Sequence, residues 1–110
     1  VKIFIPEDAR PETSAGSNYA LHAPIQDMTN PVGEWNHAKL IVDGSHVEHW
    51  LNGTKLLEYE LWSDDWNALV LASKFKDMPD YGLNKTGHIA LQDHGDLVSF
   101  RNITITPIPQ

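Results

Sequence analysis

The sequence predicts an all-β fold, an antiparallel β-sandwich carrying one short helix. Asn52-Gly53 separates two alternating apolar runs. That pair suits a tight type I′ hairpin, because both central residues need positive φ. Short runs rich in β-branched and aromatic residues recur between turn signals along the chain, which is the pattern of paired strands. Helical spacing of apolar residues is confined to 63–73.

Taken in order, residues 1–5 (VKIFI) read as a strand already under way. Residues 6–33 hold Pro6, Pro11, Gly16, Pro24, Pro31 and Gly33, so long loops are expected there, with a short strand near Tyr19–Leu21. Trp35 to Val42 reads as a strand with Ala38, Leu40 and Val42 on one face, and Asp43-Gly44 as a turn. His46 to Leu51 and residues 55–61 complete a meander around Asn52-Gly53. Ser63 can cap a helix, with Asp64 and Asp65 favouring its N-terminus, and Trp66, Leu69 and Val70 follow at helical spacing. His88 to Asp93 and Leu97 to Thr106 read as two more strands joined by His94-Gly95-Asp96, with Ile89 and Leu91 facing the core. Such short strands are few for a closed sandwich. The open edge therefore calls for further strands, a second polypeptide or a second copy of the chain.

The bulk properties narrow the function. At 110 residues the chain suits one domain, spanning 1–110. A net charge of −7 repels phosphate backbones and anionic membrane surfaces, so nucleic acid and anionic membrane surfaces are poor partners. No apolar run reaches the roughly 20 residues that span a bilayer. There is no cysteine, which excludes disulfides and thiolate metal sites.

Six histidines are present, none in a zinc motif. His46 and His49 are three apart on a strand and point to opposite faces, which argues against a metal clip. His49 shares its face with Val47 and Leu51, a core face. Gln92 and His94 share one face by period two, either a solvated strip or a ligand-facing one where Gln92 holds hydroxyls and His94 moves a proton. Asp93, His94 and Asp96 offer too few oxygens for a calcium shell. No cofactor and no metal ligand are therefore assigned, calcium being the one ion the turn's oxygens would suit. Four tryptophans are many for this length. Trp35 and Trp66 read as core, while Trp50 or Trp62 could stack on a sugar. Lys74 can aim a cation into a cleft, and Lys76 reads as solvated. Arg101 lies within an apolar strand, as an ion-pair partner or an oxyanion clamp.

Three segments carry a resemblance: GEWNHAKLIVDGSHVEHWLNG (33–53), ASKFKDMPDYG (72–82) and GHIALQDHGDLVSFRNITI (87–105). Together with the looser SAGSNYALHAP (14–24), they resemble the C-terminal portion of the 3-keto-disaccharide hydrolase domain family. The resemblance implies a concanavalin-like jelly roll with further strands before this point. It also implies a carbohydrate-active domain, a carbohydrate partner and a secreted or periplasmic setting. The implied chemistry removes the proton at C2 of a 3-keto sugar, expels the glycosidic oxygen at C1 and adds water. In that scheme His94 is base or acid, Gln92 and Arg101 orient or stabilise oxygens, and His49 and Lys74 assist. Tyr19, Trp50 and Asp93 are the candidate substrate contacts. The alternative is a sugar-binding, lectin-like module on the same fold, since fold alone does not decide function.

Overall fold

The computed structural model describes residues 11–109. The strand expected at 1–5 lies outside them. The centre of the molecule is a three-stranded antiparallel meander, with strands β1 (Ala38–Asp43), β2 (His46–Leu51) and β3 (Thr54–Glu60) in sequential order. Asn52 (φ 51°) and Gly53 (φ 86°) both take the left-handed conformation that the β2–β3 turn requires. The Asn52 amide then ties the turn to the preceding loop, donating to the Met28 carbonyl at 2.7 Å and to Asn36 Oδ1 at 2.8 Å.

One irregularity shapes the core. The register runs His49↔Leu57 and then Trp50↔Lys55, which leaves Leu56 as an extra residue in a β-bulge. A regular strand would send Leu56 and Leu57 to opposite faces. The bulge turns both inward, and they are 1% and 9% exposed. Burial of each contributes about 1.5–3 kcal/mol. The carbonyl of Leu56 is taken by the Ile25 amide at 3.0 Å, so the bulge also anchors the long loop. Val47, Leu51, Leu21 and Trp66 complete the core.

The helix α1 (Asp64–Leu71) forms as its cap predicts: Ser63 Oγ accepts from the Trp66 amide at 3.1 Å, and Asp64 and Asp65 occupy the first turn. Trp66 is 4% exposed, and Gly82 passes so close that an added Cβ would lie 2.7 Å from its ring.

Several expectations are corrected. The short strand at Tyr19–Leu21 is instead a single bridge between Asn18 and His22, because Ala20 turns the chain with φ 64°. The first meander strand begins at Ala38 rather than Trp35. Residues 84–109 contain no strand. Alternation there supplies strand propensity, but a strand needs a neighbour to complete its hydrogen bonds, and neither β1 nor β3 receives this stretch. Ile89 and Leu91 are therefore 77% and 54% exposed rather than in the core. Trp35 is also exposed, and the Arg101 guanidinium lies over its ring at 4.0 Å. Arg101 is itself exposed, so the burial cost expected for it does not arise.

Candidate active site

The side chains of β2 divide as its period requires. His46, Glu48 and Trp50 take one face, and Val47, His49 and Leu51 take the other. Val47 and Leu51 are buried, so His49 enters a partly desolvated setting. Its Nδ1 lies 2.9 Å from the Gly16 carbonyl, which can only accept. The Nδ1–H is therefore the donor, and Nε2 is left with a lone pair. The Tyr59 hydroxyl, 3.1 Å away on β3, donates to that lone pair. Diagonal placement across the β2–β3 ladder brings these two side chains together.

Burial pushes the His49 imidazole below its usual pKa, while the carbonyls of Gly16 and Ser17 work in the opposite direction. Burial pushes the Tyr59 phenol up to about 12, with Tyr81 adding to the rise. His22 stacks on Tyr59 at 4.7 Å between centroids. Its Nδ1 accepts from the Asn18 amide at 3.0 Å. Burial also lowers the His22 pKa, against the raising effect of Asp65, and His49 adds to the lowering. Two neutral imidazoles thus flank one neutral phenol near pH 7.

A cavity of about 470 Å³ opens beside His22. Leu21, Leu57 and Leu69 line it together with Lys55 and Glu58, which pair at 3.1 Å. The volume falls in the range of small-molecule sites.

The remaining candidates fall into separate places. Lys74 lies over the Tyr19 ring at 4.4 Å, so these two meet. Trp50 is on the opposite face of the sheet from His49. Its indole donates to Glu48 at 2.9 Å, and Lys39 covers its ring at 4.2 Å. Trp62 donates to the Gly82 carbonyl at 2.6 Å. Gln92, Asp93 and His94 are exposed, and among the described residues Asp93 accepts from the Gly95 amide at 3.3 Å. Lys76 is exposed, as expected.

Among the described residues, the side chains that could hold a metal together are His46, Glu48 and Glu58. His46 already spends both ring nitrogens on carboxylates, Glu60 at 2.7 Å and Glu48 at 3.0 Å, and Lys55 binds Glu58. The cluster is thus satisfied as an ion-pair network.

Sequence reasoning passed over Tyr59, His22 and Gly16 as site residues. The Tyr59 contact was available from the hairpin register. The other two depend on a loop with no periodicity.

Comparison with known proteins adds a lineage to this geometry. The 3-keto-alpha-glucoside-1,2-lyase-like domain matches residues 4–106. A 3-keto-disaccharide hydrolase from Bacteroides thetaiotaomicron is 38% identical over 101 residues, covering 83% of this chain and 35% of its own length. A crystal structure of a proposed glycosyl hydrolase from Parabacteroides distasonis superimposes with a TM-score of 0.63 at 34% identity, over 74% of this chain and 39% of that one. The chain thus spans little more than a third of the length of either.

Proposed function

Because the chain belongs to the 3-keto-alpha-glucoside-1,2-lyase-like domain family, we propose that it acts in breaking a glycosidic bond next to a 3-keto sugar. The keto group acidifies C2–H. A base takes that proton, and its electron pair moves into the C2–C3 bond with charge on the keto oxygen. When the ketone re-forms, the C1–O bond breaks, and the leaving oxygen takes a proton. Water then adds across C1=C2, its hydroxyl to C1 and its hydrogen to C2. This route does not need the paired carboxylates of ordinary glycosidases.

The observation that carries the reading is His49. It is neutral, its Nδ1 is anchored on a backbone carbonyl, and its basic nitrogen is engaged by a hydroxyl. That is the state a general base needs. In the proposal His94 is a second imidazole acting as acid or base, and Gln92 and Arg101 bind developing oxygen charge. Lys74 and Tyr19, which already meet, face the sugar with Asp93 as a further contact. The exposed apolar residues of 84–109 suit a second polypeptide or a second copy completing the sheet.

The test is turnover of a 3-keto-glucoside, followed by the absorbance of the unsaturated ketone and by release of the leaving sugar. We expect His49→Gln and His94→Ala each to lower turnover by about 10²-fold or more. Undiminished activity in both variants would remove imidazole catalysis. Binding of unoxidised glycans without turnover of the keto sugar would instead favour a lectin-like module.

A further inference from the structure

We infer that Tyr59 is the group that touches the substrate, and that it works as a proton relay with His49. The inference rests on the reaction proposed above and assigns its proton-transfer step. His49 does not present a free nitrogen to a ligand: Nδ1 is held by Gly16 and Nε2 by the Tyr59 hydroxyl. With both ring nitrogens engaged, a proton bound for His49 Nε2 has to pass through the Tyr59 hydroxyl.

The phenol alone is a poor base, because burial holds it protonated across the working range. Its contact with a neutral imidazole removes that obstacle. As the C2–H bond breaks, its proton passes to Tyr59 Oη, and the proton already on Oη passes to His49 Nε2. No free phenolate forms. The imidazolium that results still donates Nδ1–H to the Gly16 carbonyl, and the backbone carbonyls of Gly16 and Ser17 favour its charge. When the C1–O bond breaks, the same two protons run in reverse. Oη gives its proton to the leaving oxygen and recovers one from Nε2. Across the cycle C2–H and C1–O are lost, C1=C2 and an O–H are gained, and the pair returns to its starting state. One dyad on one face of the sugar therefore serves as both base and acid.

The surroundings suit that role. The Tyr59 ring packs in a cluster with His22 at 4.7 Å and Trp66 at 5.6 Å, which lie 6.4 Å from each other. The hydrogen bond to His49 orients the hydroxyl. His22 is a positioning residue held by Asn18, and it also lines the neighbouring cavity of about 470 Å³. The titratable groups around the pair are His22, Tyr81 and, near His22, Asp65.

Tyr59→Phe deletes the hydroxyl and keeps the ring stacks, so the fold should survive, as near-ultraviolet circular dichroism will show. We expect kcat on a 3-keto-glucoside to fall at least 100-fold with KM changed less than threefold. The pH–rate limb that reports His49 should move or vanish. The double variant Tyr59→Phe/His49→Gln should be no slower than the worse single variant, because the two residues act as one unit. An active wild type whose Tyr59→Phe variant keeps kcat within threefold and the same pH limb overturns the relay, as does a double variant whose losses multiply. A wild type that leaves the keto sugar intact overturns the reaction itself, and the relay with it.

Discussion

Replacing Gly16 by alanine tests the packing and the chemistry together. Gly16 sits at φ 83°, and a Cβ built there falls well inside van der Waals contact with Leu56 Cδ1. Leu56 is 1% exposed, so it has little room to move. The left-handed conformation costs alanine about 1 kcal/mol, and forcing a methyl into a filled core costs about 1–3 kcal/mol more. The sum of roughly 2–4 kcal/mol is a large share of a small domain's stability. It should lower the melting temperature by roughly 10–25 °C. Gly53→Ala is the control. It also has positive φ (86°), but nothing lies within 4 Å of its added Cβ, so it should lose only the conformational part. Thermal unfolding followed by circular dichroism measures both. Adding Leu56→Ala to Gly16→Ala should cost less than the two single losses combined, because the truncated side chain makes room for the new methyl. If Gly16→Ala melts within about 2 °C of Gly53→Ala, the close approach of Gly16 to Leu56 is refuted. The placement of its carbonyl on His49 then falls too.

Two further outcomes follow from named contacts. Ser63→Ala removes the oxygen that caps the Trp66 amide, and should cost about 1 kcal/mol, read as a lower melting temperature and lost helical signal. The His46 network should be pH-dependent in both directions. Hydrogen bonds that the His46 ring donates to Glu60 and Glu48 raise its folded pKa, so its contribution is complete below about pH 6.5 and is lost as pH rises through the raised value. Glu48 is lowered first by Trp50 and then by His46, and Glu60 by Ser45 and then by His46, so their contributions are lost as pH falls through the lowered values. The melting difference between wild type and His46→Gln should therefore peak at mildly acid pH, between those limits. A difference that is flat from pH 4 to 9 would show that the network adds nothing to stability.

How far the sequence discloses this molecule depends on the range of the forces involved. The meander was legible because Asn52-Gly53 and period-two alternation are local, and they set the register once the turn is fixed. Leu56 was not legible as a bulge. A regular strand puts only one of Leu56 and Leu57 inward, and the bulge that turns both inward is tied to a loop 31 residues earlier, through the Ile25 amide. The stretch 88–106 shows the opposite failure. Its alternation is as clear as that of β2, yet among the described residues no strand stands beside it, and pattern without a partner forms no ladder.

His49 joins the two cases. Its neighbours Val47 and Leu51 mark a core face, and the structure agrees that they are buried. On pattern alone that placement argues against chemistry. The geometry reverses the inference, since the same burial keeps the imidazole uncharged and leaves Nε2 for Tyr59 rather than for water. An apolar setting and a working base are compatible as long as something anchors the other nitrogen. Here the anchor is the Gly16 carbonyl, delivered by a glycine that alone among residues fits between the loop and Leu56.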